Sequence, residues 1–205
     1  MSEISTHTSK LEAVHSAIDQ INNQDKNITH FEGVDHPKEL LYGHLMSNCL
    51  KAHWPDATES LQIAVRAQHI KRWHLKRSDY KQGKAGYYQW RIALGKYHAE
   101  LTSSLMLEAG YTSEEANRTG AIIRKEKIKL DEETQTLEDV ACLVFLQYYF
   151  SAFADKYTGS DEAEQKIINI VRKTWAKMSD KAHDIALKLP LPEHLGVIVK
   201  KALSD

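Results

Sequence analysis

Apolar residues recur at helical spacing along nearly the whole chain. The first stripe consists of four aliphatic residues, Leu11, Val14, Ile18 and Ile21. Ser9 and Glu12, at the start of this stripe, have the spacing of a capping box, a common helix start. We therefore predict a first helix that begins after Ser9 and ends near Asn22.

Proline and capping residues indicate where the next two helices begin and end. Pro37 is favoured in a first helical turn, and Trp54-Pro55 ends the second helix. Asp56, with Glu59 three residues later, predicts a third helix that continues to about Trp73.

A polar, lysine-rich stretch from His74 to Gly86 predicts a basic loop that could act as a lid. A long fourth helix follows and ends at Gly110, the residue type that favours a left-handed cap. Thr112 and Glu115 form a second capping box, and the fifth helix should run to about Lys125.

The sixth helix, from Leu137 to Phe153, is apolar on nearly all sides and should be the central core helix. We expect a turn at Thr158 to Ser160, then a seventh helix and shorter helices after Ser179 and Pro192. Alternating strand patterns are missing, so we predict an all-α, single-domain multi-helix bundle over residues 10–205, after a polar tail at 1–9.

Charge and composition point to a local site in a cytoplasmic protein. The 27 basic and 28 acidic residues nearly cancel, so no overall field attracts nucleic acid or a membrane surface. The N-terminus has no secretory pattern, and the most apolar segment contains polar residues and is short for a membrane span. Cys49 and Cys142 are widely separated, which is typical of a reduced compartment.

The histidine with the most informative neighbours is His69. Arg66, Arg72 and Trp73 lie three or four positions from it on the predicted helix. Nearby cations keep an imidazole neutral, the form that binds a metal or accepts a proton, and arginines can hold a phosphate. The alternative is a hydrogen-bonded helix-end histidine between solvated or salt-bridged arginines.

Three further residues are candidates for a polar site. His98 shares a face with Leu94 and Leu101 and should be partly buried, although a backbone carbonyl could satisfy it. Asp139 lies near the start of the sixth helix, where the helix dipole alone could explain a carboxylate. His44 lies in the second helix. The common zinc protease, nucleotide triphosphatase and serine hydrolase motifs are missing from the sequence.

Three strings carry a resemblance to a known family: PKELLYG at 37–43, RAQHIKRW at 66–73 and LEDVACLVFL at 137–146. They resemble a domain of unknown function found in bacteria and fungi, which supplies no activity. More distantly, the order of helix-borne histidines and a late aspartate is similar to the HD-domain metal-dependent phosphohydrolases.

The HD-domain resemblance implies that His44, His69 and Asp139 occupy metal-ligand positions, with His98 near the metal or substrate. HD domains carry a His-Asp pair, whereas here Ile70 follows His69. The resemblance therefore implies a mononuclear site for iron, manganese, zinc or nickel. Glu39, Glu100 or Glu138 could substitute as a ligand.

These residues lead to a hypothesis of a metal-dependent hydrolase of a small phosphate ester, such as a nucleotide. His98, Arg66 and Arg72 would be catalytic, and four residues of the basic segment would bind substrate: Lys71, Trp73, Arg77 and Lys84. One alternative is a noncatalytic module that binds a nucleotide or RNA, with bases stacked on aromatic residues: Trp73, Tyr80, Tyr87, Tyr88 and Trp90. Another is a helical scaffold for a partner protein.

Overall fold

The computed structural model describes residues 8–156 and 160–203, apart from the side chains of Asp161 and His194. Residues 1–7 of the predicted tail and part of the turn predicted at Thr158 to Ser160 lie outside the described residues. The chain forms two compact units, one ending at Lys127 and the other beginning at Ile128. The prediction of a single domain stays a prediction.

Five helices build the first unit, and their starts largely follow the capping signals. They are α1 (Lys10–Asn22), α2 (Lys38–His53), α3 (Glu59–Ala67), α4 (Gly83–Glu108) and α5 (Ser113–Ile123). Ser9 and Thr112 both form the predicted capping boxes. Gly110 has φ of +88°, so the predicted left-handed cap is confirmed. The core between these helices contains Ile18, Met46, Ile63, Leu94 and Ile122, all almost completely buried.

A β-hairpin, which the sequence analysis missed, lies between α1 and α2. Strands β1 (Ile28–Phe31) and β2 (Val34–Pro37) pair antiparallel through a two-residue turn. The turn residues Glu32 and Gly33 both have positive φ, as a two-residue turn of the I′ type requires. A glycine in the second turn position was the available signal.

The end of α3 differs from the prediction in a way that matters for the site. Thr58, and not Asp56, accepts the capping hydrogen bond from the Leu61 backbone, and α3 ends at Ala67. The chain then turns, with Lys71 in a left-handed conformation, into a short 3₁₀ segment at Arg72–His74. A second 3₁₀ segment at Arg77–Asp79 interrupts the predicted basic loop, and α4 already begins at Gly83.

Among its described residues, the second unit contains one long apolar helical stretch and three further helices. The stretch comprises α6 (Glu132–Val144), a π-helical segment (Phe145–Tyr149) and α7 (Phe150–Ala154), and it begins five residues earlier than predicted. The others are α8 (Asp161–Trp175), α9 (Asp180–Ala186) and α10 (Glu193–Leu203). The side chains of Leu137, Val140 and Phe150 are fully buried, as predicted for a core helix.

Contrary to the sequence expectation, the stretch Glu132–Ala154 is long and apolar enough to cross a membrane by length and composition. It has 23 residues and a mean hydropathy of 1.2 over its most apolar window, of which 56% is buried. A helix buried in the core of a protein can have the same length and composition.

The all-α fold class is confirmed. Within residues 8–156 and 160–203, the only strands are those of the hairpin.

Candidate active site

A cavity of about 380 Å³ opens in the first unit, where the end of α3 meets α4 and the end of α5. Its volume lies within the range typical of small-molecule sites. Five cationic residues line it: Arg72, Arg91, Lys96, Arg124 and Lys125. The described residues that line it include two histidines but no carboxylate. The cavity is therefore suited to an anion.

His69 is held at this cavity by contacts on its edge and on its face. Its Nδ1 lies 3.0 Å from Oε2 of Glu39, and its ring stacks on that of Tyr42 with centroids 4.2 Å apart. The hydroxyl of Tyr42 donates to Oε1 of Gln68 at 3.1 Å, which fixes the stacking partner in turn. With Glu39 as a carboxylate, Nδ1 donates, and the lone pair of Nε2 stays unengaged by the described residues.

The turn after α3 brings His69 into this position. The backbone N–H of Lys71 donates to Oδ1 of Asn22 at 2.9 Å, and Lys71 has φ of +49°. Lys125, at the end of α5, also has positive φ, at +57°. A left-handed conformation costs a lysine about 1 kcal/mol or more. Two lysines at the cavity have this conformation: Lys71 is next to Arg72 in the chain, and Lys125 lines the cavity.

His98 lies deeper, on α4, and lines the same cavity. Its side chain is 2% exposed, and neither ring nitrogen has a hydrogen-bond partner among the described residues. The backbone of Ile70 is near the ring, but its contact falls short of hydrogen-bond geometry. Its ring centroid lies 6.4 Å from that of His69. Buried polar groups normally have hydrogen-bond partners, so the two ring nitrogens of His98 are unusual in having none among the described residues.

The arginines of the cavity differ in their ion pairing, and the Glu39 carboxylate acts on Arg72 without forming a salt bridge with it. Neither Arg72 nor Arg91 forms a salt bridge within the described part of the chain, whereas Arg124 pairs with Glu126 at 2.7 Å. The guanidinium of Arg72 lies over the ring of Trp90, 4.9 Å from its centroid. Stacking on an aromatic face leaves the guanidinium N–H groups free to bind an anion.

This environment keeps both histidines neutral. Burial lowers the pKa of His69 well below its usual range, and the charges of Arg72 and Arg91 lower it further. Burial, then the neighbouring His69 and Arg72, lowers the pKa of His98 to about 3. Burial raises the pKa of Glu39, an effect that Arg72 opposes. Shifted groups that share a cavity are typical of functional sites.

The sequence analysis assigned Arg66 and His44 to the site, but in the structure both side chains contact the carboxylate of Asp19. Arg66 donates to Asp19 through Nε at 2.8 Å and through a terminal nitrogen at 2.5 Å, and His44 Nε2 lies 3.3 Å from the same group. Burial raises the pKa of Asp19, but hydrogen bonds from His44 and Arg66 outweigh it and lower the pKa to about 2. Neither Arg66 nor His44 lines the cavity.

Asp139 lies in the second unit, within α6 rather than in its first turn. Its Oδ1 accepts from Gln135 Nε2 at 2.9 Å and from the Ser179 backbone at 2.8 Å, and its Oδ2 accepts from Ser179 Oγ at 2.5 Å. These bonds hold the residue that caps α9. They give this buried carboxylate a structural function, and its assignment as a metal ligand stays a prediction.

The four residues predicted to bind substrate do not line the cavity. Lys71 is positioned by its backbone bond to Asn22, and Arg77 donates to the carbonyls of Tyr80 and Gly83. The ammonium of Lys84 lies 5.9 Å from the ring centroid of Tyr88. Trp73 is half-buried in the 3₁₀ segment. Of the predicted site, His69, His98 and Arg72 are the residues that line this cavity.

The donor set for the implied metal is not assembled in the described residues. No group of three or more His, Cys, Asp or Glu side chains there could hold a metal ion. His44 and His69 face different carboxylates, and Ile70, at the position of the HD aspartate, is fully buried. The described residues give no support to the predicted mononuclear site, which stays a prediction.

Sequence reasoning missed the contributions of α4 and α5 to the cavity. Arg91, Gly95 and His98 follow one another at spacings of four and three, which places them on one face of α4. That spacing was a usable signal. Nothing local in the sequence indicates that Arg124 and Lys125 meet this face.

The sequence of the whole chain was compared with known protein families. The chain belongs to the family described as Domain of unknown function (DUF4202), which matches residues 12–199. Neither a curated protein nor a solved structure matches the chain.

Proposed function

We propose that this protein hydrolyses the phosphate ester of a small molecule in the cationic cavity. One observation carries the proposal: His98, buried and without a hydrogen-bond partner in the described residues, lies in a cavity lined by cations and by no carboxylate. A phosphate group would supply both the negative charge and the acceptor oxygens that these residues lack.

Binding is assigned first to the arginines. Arg72 and Arg91 present forked N–H donors, which match the geometry of phosphate oxygens. Lys96, Lys125 and Arg124 add positive charge around the rim. These charges also stabilise the charge that develops on the transferred phosphoryl group.

The chemical step is assigned to His69, with Glu39 as the residue that orients it. Glu39 fixes the tautomer in which Nε2 carries the lone pair, the arrangement by which a carboxylate prepares a histidine for catalysis. A distant relationship to HD-domain phosphohydrolases and a divalent metal both remain part of the proposal, but no step is assigned to a metal.

A second candidate is a noncatalytic nucleotide-binding module. Tyr88 lines the cavity and is 53% exposed, so a base could stack on it while the phosphate contacts Arg91. The two candidates differ in turnover, because a binding module would take up nucleotide and release no phosphate.

Release of inorganic phosphate from a panel of nucleotides and sugar phosphates tests the proposal, with and without added Mn²⁺, Fe²⁺, Zn²⁺ or Ni²⁺. Wild type should release phosphate from at least one ester, and Arg91→Ala should lose about 10-fold or more in kcat/KM. Lys81→Ala is the matched control, because Lys81 is exposed and does not line the cavity. Tight nucleotide binding without phosphate release in any metal would support the binding module.

A further inference from the structure

We propose that Nε2 of His69 is the nucleophile of this reaction and carries the phosphoryl group as a covalent phosphohistidine. The inference rests on the proposed function, and it specifies the course of the reaction at the same site. The geometry that supports it is the Glu39–His69 pair, which faces unpaired arginines across the cavity.

The cavity offers few alternative nucleophiles. The described lining residues include no serine, threonine, cysteine, aspartate or glutamate. The arginines are protonated and do not attack phosphorus. Tyr88 is largely exposed at the rim, and Lys96 lies 3.8 Å from Glu100 on the surface of α4. The two histidines are the uncharged nitrogen nucleophiles that remain.

Between the two histidines, the contacts favour His69. Its Nδ1 is engaged by Glu39 and its ring is fixed by Tyr42, so Nε2 is the nitrogen left to react. Its side chain is 22% exposed, whereas both nitrogens of His98 are shut off from solvent.

Direct attack needs a neutral imidazole, and burial with the charges of Arg72 and Arg91 lowers the pKa of His69 and keeps it neutral. The same histidine keeps its lone pair available for attack. After attack the ring becomes positively charged, and the Glu39 carboxylate and the face of Tyr42 stabilise that charge.

The proposed steps balance. Nε2 attacks phosphorus, the bond from phosphorus to the ester oxygen breaks, and the alcohol departs with a proton taken from solvent. Water then attacks the phosphohistidine, the N–P bond breaks, and its electron pair returns to Nε2. The products are inorganic phosphate, the alcohol and the unmodified protein, and no oxidant or reductant is needed.

Acetyl phosphate is the first probe, because it is small and its leaving group needs no proton. After rapid alkaline quench, wild type should carry an acid-labile, alkali-stable phosphoryl group that maps to His69. His69→Asn should lose this adduct at least 100-fold. His30→Asn, in the exposed hairpin, should keep it and serves as the matched control.

Imidazole rescue of His69→Gly is the second measurement and is independent of adduct lifetime. Imidazole in the vacated space should restore turnover of acetyl phosphate and yield N-phosphoimidazole as a product. Restored phosphate release without N-phosphoimidazole, or an adduct on a residue other than His69, would overturn the inference but leave the hydrolase intact. Failure of wild type to bind phosphate and to cleave any ester would instead remove the proposed function.

Discussion

Glu39 and His69 lie thirty positions apart in sequence, yet Oε2 of the first is 3.0 Å from Nδ1 of the second. The hairpin and α2 carry Glu39 to the turn after α3, where Asn22 holds the backbone of Lys71. Because both side chains are largely buried, water competes little for the hydrogen bond between the Glu39 carboxylate and the neutral His69 ring. The pair fixes which nitrogen of His69 faces the cationic cavity.

Glu39→Gln should lower kcat for phosphate release about 10- to 100-fold and leave KM unchanged or slightly lower. Glutamine keeps the shape and can still accept from Nδ1, but it loses the charge that stabilises a positively charged His69. Steady-state kinetics on the cleaved ester measure both constants. Glu108→Gln, at the exposed end of α4, is the control. Equal kcat values for the two variants would show that Glu39 only supports the fold.

Arg66 and Arg91 should separate stability from binding. Arg66→Ala leaves the half-buried Asp19 without its bidentate partner, so the free energy of unfolding should fall by about 1–3 kcal/mol. Arg91→Ala should change stability by less than about 0.5 kcal/mol, because Arg91 is exposed, and should weaken phosphate binding. Urea unfolding and phosphate titration on both variants provide the comparison. If Arg66→Ala lost phosphate affinity but kept its full stability, Arg66 would be a phosphate-binding residue, contrary to this prediction.

His98 should make the fold sensitive to acid. Its pKa in the folded protein is lowered to about 3, so the unfolded chain takes up a proton below pH of about 6.5 and the folded chain does not. Stability from this group is therefore complete above that pH and is lost as the pH falls. Between pH 7 and pH 5 the wild type should lose roughly 2 kcal/mol more than His98→Leu. Identical losses in urea unfolding at the two pH values would mean that His98 titrates normally.

The sequence predicted the elements that local interactions determine. Ser9 and Thr112 each bond within their own helical turn, and Gly110 adopts its positive φ for reasons that lie in the backbone alone. The hairpin was missed because its strands are four residues each and mostly exposed, so they lack a clear apolar alternation. Thr58 took the capping position expected for Asp56, since threonine and aspartate are both common N-cap residues.

The site was predictable only where one segment carried it. His69, Arg72 and His98 were identified from their neighbours along single helices, and all three line the cavity. Arg66 is on the same helical face by sequence, but Asp19 from α1 binds it. That contact and the one between Glu39 and His69 join distant segments, so no local pattern encodes them.

Isothermal titration with inorganic phosphate tests the central claim, that the cavity is a phosphate site, most directly. Wild type should bind phosphate at one site, and Arg72→Ala should lose about 10- to 100-fold in affinity, because its guanidinium is half-buried and has no carboxylate partner among the described residues. Lys81→Ala should change affinity by less than about threefold and only in low salt. Absence of phosphate binding to wild type, or equal losses in both variants, would contradict the account.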